Sequence, residues 1–213
     1  MTIVVAAAIW VGLIAVFILR WHSQADHSTI YLGMAAGFGL LLNIDSVYLI
    51  ADGWLGGVNL GDLLANTAII VGVSSFARGV AKAADGSSPI ARVVLGPYVL
   101  VGVVVISAAA FSMIKTTGSS TRFMFDYGDQ PAAAVYSVVQ HLYFGLVTLA
   151  MAVVCIGQLA NVRGFMRTST IVLLIGSLGQ TLTCIAVIVM DVSHVAGNES
   201  LLRLGQYVYD YGK

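Results

Sequence analysis

The chain has 213 residues, 59% of them hydrophobic and 9% charged, and its mean hydropathy is +0.93. Soluble domains carry about 25% charged residues, so an ordinary soluble fold is excluded and the lipid bilayer is the first partner implied. Ten Lys plus Arg balance ten Asp plus Glu, which points to no nucleic acid and no acidic partner.

A membrane helix needs roughly 20 mostly apolar residues, and six runs approach or meet that length. They are Ile3–Leu19, Thr29–Ala51, Leu63–Ala84, Ala91–Ile114, Ala132–Ala160 and Thr170–Val192. Met1 to Ala8 has no basic n-region and no cleavage-like site precedes Arg20, so the first run is expected to be retained. Asn59 with Asp62 three residues on predicts a capped start for the third run. Pro131 suits the first turn of the fifth. The fold class expected is all-α, a polytopic transmembrane helix bundle over residues 1–193 with six spans. Residues 194–213 form an amphipathic tail, either an interfacial helix or a partial seventh span, in which Leu201, Leu204, Val208 and Tyr211 recur at helical spacing.

Basic residues accumulate on the cytoplasmic side of a membrane. Arg20, Arg78, Lys82, Arg92, Arg163 and Arg167 fall on one side, and Lys115, Arg122, Arg203 and Lys213 on the other. This bias predicts a multi-pass protein of a bacterial plasma membrane with its N-terminus outside. The predicted outer side carries Asp52, Asp62, Asp126, Asp129, Asp191, Glu199 and Asp210, an acidic face, with Trp54, Phe123, Phe125 and Tyr127 at the same interface.

The stretch from Leu41 to Ala68 reads as a helical hairpin turning through Gly56-Gly57. Asn43 and Asp45 sit in its first arm and Asn66 in its second, where polar groups are expensive. Asp45 lies about 9 Å from the end of its helix at 1.5 Å per residue. It therefore needs a partner or a wet cavity, and it is the leading candidate for a ligand or ion site. A simpler role is a hydrogen bond to Asn66 or Ser46 that fixes packing. His141, next to Gln140 in the fifth run, is the second candidate; it could titrate with Asp45 across the bundle or serve as an interhelical hydrogen-bonder. Asn66 and Gln180 complete the expected pocket. Asn43, Gln158, Thr181 and Thr183 read as interhelical glue. Gly33 and Gly37 form a G-x-x-x-G packing face, and Gly179 with Thr183 a weaker one.

His22, Asp26 and His27 share a short loop without a second cluster to complete a metal site. Cys155 and Cys184 lie in apolar runs and match no redox or metal spacing. There is no G-x-S-x-G, H-E-x-x-H, Walker or C-x-x-C motif, and no central lysine for a Schiff base. No catalytic residue, metal or cofactor is expected.

The segment VYLIADGWLGGVNLGDLLANTAII, Val47 to Ile70, resembles the turn between helices two and three in an actinobacterial family of multi-span integral membrane proteins of unknown function, classed as transporters. Phe123 to Ala196 carries a similar order of features: an aromatic loop, Pro131, Tyr136, Tyr143, a basic Arg163 to Arg167 linker, and a helix containing Gly176 and Gly179. The resemblance implies seven helices followed by a cytoplasmic region, which this chain departs from after its sixth run and tail. The leading expectation is a non-enzymatic membrane protein, receptor-like or accessory, that binds a partner or small ligand at its outer face through Asp45, Asn66, His141 and Gln180. The alternatives are a proton- or cation-coupled transporter and a structural subunit or homo-oligomer. Against transport stand the lack of a visible inverted repeat and of Pro/Gly-broken half-helices in matching positions.

Overall fold

The computed structural model describes residues 34–35, 37–39, 41–84 and 89–197. The first predicted span, the His22–His27 loop, Gly33 and the tail from 198 lie outside them. The described residues are helical, without strands: α1 (Asp45–Trp54), α2 (Leu60–Ala83), α3 (Pro89–Val94), α4 (Pro97–Ser112), α5 (Phe123–Tyr127), α6 (Pro131–Gln158) and α7 (Gly164–Val195). Helical residues at 37–39 and 41–42 precede α1.

Three of these helices, α2, α6 and α7, are long and apolar enough to cross a membrane, as expected of a membrane-embedded protein. At 1.5 Å per residue, 28-residue α6 and 32-residue α7 are about 42 and 48 Å long. Both exceed a hydrocarbon core of about 30 Å. Asp62 in the first turn of α2 and Lys82 in its last match the helix dipole. Pro131 occupies the first turn of α6, where its missing N–H costs nothing.

Six spans are therefore not supported: three of the expected runs correspond to α2, α6 and α7, the first lies outside the described residues, and the other two are not continuous helices. The run Ala91–Ile114 is divided into α3 and α4 at Gly96-Pro97. Gly96 is extended, at φ −64° and ψ 144°, because a following proline disfavours the helical region. The run Thr29–Ala51 is interrupted before Asp45, where Ile44 is extended at φ −89° and ψ 114°. Asn43 supplies the local cause: its side-chain amide donates to the Gly39 carbonyl at 2.9 Å, competing with the backbone ladder as short polar side chains do.

Helix α6 is the central element. It packs most extensively on α7 and also against α4, α2 and α3. One core cluster joins Ile70, Ala77 and Ala81 of α2 to Leu95 and to Tyr143, Val147, Met151 and Val154 of α6. A second cluster gathers Phe111, Phe123, Tyr127 and Tyr136, with ring centroids 5.3 to 5.9 Å apart. Phe123 and Tyr127 are thus core residues rather than interfacial ones, whereas Trp54 is 86% exposed. Cys155 and Cys184 are buried free thiols.

The glycine contacts differ from the expected ones. Gly37 is buried, but the tight approach is at Gly39, where a Cβ would lie 2.6 Å from Ile69 Cγ1 and 3.2 Å from the Ala65 carbonyl. Gly179 is exposed with nothing within 4 Å of a built Cβ, so it packs on no described helix. The α6–α7 approach is instead at Gly145, 3.3 Å from Cys184 Cβ on the same measure. Gly39→Ala is expected to lower stability by about 1 to 3 kcal/mol through overpacking. The same substitution should cost less in an Ile69→Ala background, which denaturation of the two single variants and the double variant will measure.

Candidate functional site

The helical hairpin is closed by side chains, and Asp52 is its centre. The Gly56-Gly57 turn runs through positive φ at both glycines, 98° and 68°, and again at Asn59, 63°. Such a turn aims backbone N–H groups inward, where they need an acceptor. Asp52 is fully buried and accepts from the Asn59 and Gly61 N–H groups, each at 3.0 Å, and from the Ser119 hydroxyl at 2.5 Å. Asn59 does not cap α2 with its side chain. Instead its Oδ1 accepts from the Tyr48 hydroxyl at 2.9 Å and the Ser120 N–H at 2.6 Å, and its Nδ2 donates to the Gly118 carbonyl at 2.7 Å. Asp52 and Asn59 thereby tie the hairpin to the loop between α4 and α5. The Tyr127 hydroxyl, donating to the same Gly118 carbonyl at 2.9 Å, and Gln130, bonded to both the N–H and the carbonyl of Lys115, fix that loop to the start of α6.

This corrects the expected acidic face. Asp52 and Asp191 are interior groups, 0% and 1% exposed, whereas Asp126 and Asp129 remain on the surface.

Below the tied loop lies a cavity of about 250 Å³. Leu42, Asn43, Asp45 and Tyr48 come from the interrupted first arm; Asp62, Ala65 and Asn66 from α2; Ser137 and His141 from α6; Val187 and Met190 from α7. Ser120, Thr121, Phe123 and Met124 form the wall on the loop side. Three of the four residues expected to form a pocket, Asp45, Asn66 and His141, line this one space. Gln180 does not: its amide reaches Cys184 Sγ at 3.8 Å, three turns along α7 from Asp191.

Consecutive residues of α6 organise the lining. The Tyr136 hydroxyl donates to Asp62 Oδ2 at 2.8 Å, and Asn66 Nδ2 donates to the same oxygen at 3.0 Å. Asn66 Nδ2 also lies 3.1 Å from the Tyr136 oxygen, closing a three-membered set. One residue on, the Ser137 hydroxyl donates to Asp191 of α7 at 2.5 Å. Tyr136 and Ser137 thus hold a carboxylate on each neighbouring helix.

His141 Nδ1 lies 2.9 Å from the Ser137 carbonyl and 3.1 Å from the Ser137 hydroxyl oxygen. A carbonyl can only accept, and the hydroxyl already donates its one hydrogen bond to Asp191, so Nδ1 carries the hydrogen. In the neutral ring Nε2 is then the bare acceptor. Asp45 is exposed and its carboxylate makes no hydrogen bond among the described residues, and so bonds neither Asn66 nor Ser46 there. As an acid in the first turn of α1 it complements the dipole where the helix restarts.

Sequence reasoning missed Asp62, Tyr136, Ser137 and Asp191 as members of the site. Asp62 was read as a helix-start acid and, with Asp191, as part of an acidic outer face, while Tyr136 and Ser137 lie within an apolar run. Elsewhere in the bundle, Ser74 of α2 meets the Tyr143 hydroxyl at 3.0 Å and accepts from Arg78 at 3.3 Å. Among the described residues, no group of three His, Cys, Asp or Glu side chains is placed to hold a metal ion.

Comparison with protein families, curated proteins and solved structures finds no match to this chain.

Proposed function

We propose that the chain is a non-enzymatic membrane protein that binds a small solute in a cavity reached from the outer face of a bacterial plasma membrane. The observation that supports this reading is the cavity itself. Asp45, Asp62, Asn66 and His141, from three different helical segments, face one space of about 250 Å³. Polar side chains at membrane depth are expensive unless they meet one another, water or a ligand. The tied loop over Phe123 and Met124 gives that space a fixed wall, as a preformed binding site requires. The basic residues at Arg78, Lys82, Arg92, Arg163 and Arg167, away from the hairpin, support the outward orientation.

Screening the purified full-length protein against small amines, carboxylates and polyols by thermal unfolding tests the reading. At a hundredfold excess over Kd, a bound solute raises Tm by about 5 to 10 °C. Val187→Phe, which fills the cavity from α7, should remove the shift. If no solute class stabilises the protein, or if Val187→Phe leaves the shift intact, the cavity is not a binding site.

A coupled transporter is the second reading, and a specific observation favours it. The first arm is interrupted at Asn43-Ile44, beside the cavity, and a second interruption stands at Gly96-Pro97. Transporter sites are commonly built where helices are discontinuous. Solute flux in proteoliposomes carrying a pH gradient separates the two: binding without flux retains the receptor-like reading.

A further inference from the structure

We propose that the cavity takes a small organic ammonium ion, held by Asp62 and Asp45 and bound in competition with a proton on His141. This rests on the cavity being a solute site and names the solute.

The lining is acceptor-rich in a specific way. Both described side-chain bonds to Asp62 fall on Oδ2, from Tyr136 and Asn66, which leaves Oδ1 for the cavity. Asp45 has no described hydrogen bond to satisfy it, and His141 presents Nε2 as a bare acceptor once Nδ1–H is fixed on Ser137. No Lys or Arg is among the described lining residues. An anion would meet two carboxylates, and a neutral polyol would leave the charge of Asp62, which is bonded by neutral donors alone among the described residues, uncompensated. A donor-only cation satisfies both conditions.

The spacing favours an organic cation over a bare metal ion. Asp45, Asp62 and His141 are not close enough together to form a metal-holding group, whereas an ammonium on a short carbon chain can reach a carboxylate and bury its tail elsewhere. Leu42, Phe123, Met124, Val187 and Met190 supply the apolar wall for that tail. The volume, about 250 Å³, lies just below the roughly 300 to 1,000 Å³ of sites for drug-sized ligands, so the ligand is small.

Proton competition follows from the same placement. Among the described residues, the titratable groups that share the cavity with His141 are Asp45 and Tyr48 from the first arm and Asp62 from α2. Tyr136 reaches it through Asp62 and Asp191 through Ser137. The loop wall contributes Ser120, Thr121, Phe123 and Met124, none of which titrates in this range. A proton on Nε2 makes the imidazole a cation and turns an acceptor into a donor. Both changes repel an ammonium, so binding should expel that proton.

The test uses three near-isosteric probes on the full chain in detergent: propylammonium, propionate and 1-propanol. Propylammonium alone is expected to raise Tm, and calorimetry between about pH 5 and 8, where imidazole ordinarily titrates, should find its affinity falling as pH falls. Titration at about pH 7 in two buffers of different ionisation enthalpy should detect more proton release on binding in the wild type than in His141→Gln, where only the carboxyl groups remain to give up a proton. Asp62→Asn should weaken binding by about tenfold or more. Asp45→Asn, at an exposed position, keeps the test available if Asp62→Asn does not fold. Stabilisation by propionate or propanol overturns the ammonium assignment and leaves the solute site standing. No response to any of the three also overturns it, and the wider screen with Val187→Phe then decides the solute site separately. Propylammonium binding with the same proton release in His141→Gln overturns the competition.

Discussion

Asp52→Ala is expected to cost about 3 kcal/mol or more, a larger loss than for any other acidic residue in the described structure. The carboxylate is fully buried and accepts three hydrogen bonds, two of them from backbone N–H groups of the hairpin turn. A hydrogen bond to a charged group contributes about 1.5 to 3 kcal/mol, and a buried donor left without its acceptor costs about 1 to 3. The three bonds are not additive, because they fix one turn. Even so, the substitution removes the acceptor that the Asn59 and Gly61 N–H groups share. Asp52→Asn should fall between wild type and alanine, since one amide oxygen can serve one or two donors while the amide N–H₂ is left facing them. Ser119→Ala removes the one hydrogen bond that Asp52 makes to the loop and should cost about 1 kcal/mol. Thermal or denaturant unfolding in detergent will order the three. A small effect of Asp52→Ala, comparable with Ser119→Ala, would show that the turn holds its shape without the carboxylate.

The long helices were legible because a run of about 20 apolar residues has few alternatives in a bilayer: its backbone must be bonded internally. The expected runs from 63, 132 and 170 correspond to α2, α6 and α7 with ends shifted by a few residues. Hydropathy is blind to chain direction, however, and an interrupted apolar run scores like a continuous one. Gly96-Pro97 carried the signal for its interruption, since proline sets both its own φ and the conformation of the residue before it. Asn43 carried a weaker one.

The cavity was half legible. Asp45, Asn66 and His141 stood out because each is polar against an apolar background, and all three line it. Gln180 stood out for the same reason, yet it lies on α7 beside Cys184. Depth along a helix could be read from the sequence, but the direction a side chain faces in the bundle could not. Tyr136 and Ser137 show the converse. Adjacent on one helix, they point to different neighbours, α2 and α7, and no spacing rule marks either as part of a polar site. Asp52 was assigned to the surface because its partners lie seven and nine residues on, across a turn whose geometry depends on Gly56, Gly57 and Asn59 together.

Asn59 should give the second large effect, and the choice of substitution separates its two roles. Its backbone is in the left-handed region at φ 63°, and its side chain is fully buried with three hydrogen bonds. Asn59→Gly suits the backbone, because glycine adopts positive φ without steric cost. It loses the side chain, stranding the Ser120 N–H and the Tyr48 hydroxyl and leaving the Gly118 carbonyl to Tyr127 alone, and should cost about 2 to 3 kcal/mol. Asn59→Ala adds a left-handed penalty of about 1 kcal/mol to the same losses. Asn59→Asp keeps the acceptor for Tyr48 and Ser120, but turns the group facing the Gly118 carbonyl from donor to acceptor. It also sets a second carboxylate near Asp52, whose Oδ2 takes the Asn59 N–H at 3.0 Å. The expected order of stability is therefore wild type, then glycine, then alanine, with aspartate recovering toward the wild type only at a pH low enough to protonate it. Unfolding measured at two pH values will place the aspartate variant. If glycine and alanine are equally stable, the left-handed turn is not under strain; if glycine matches the wild type, the side-chain bonds at the loop contribute little.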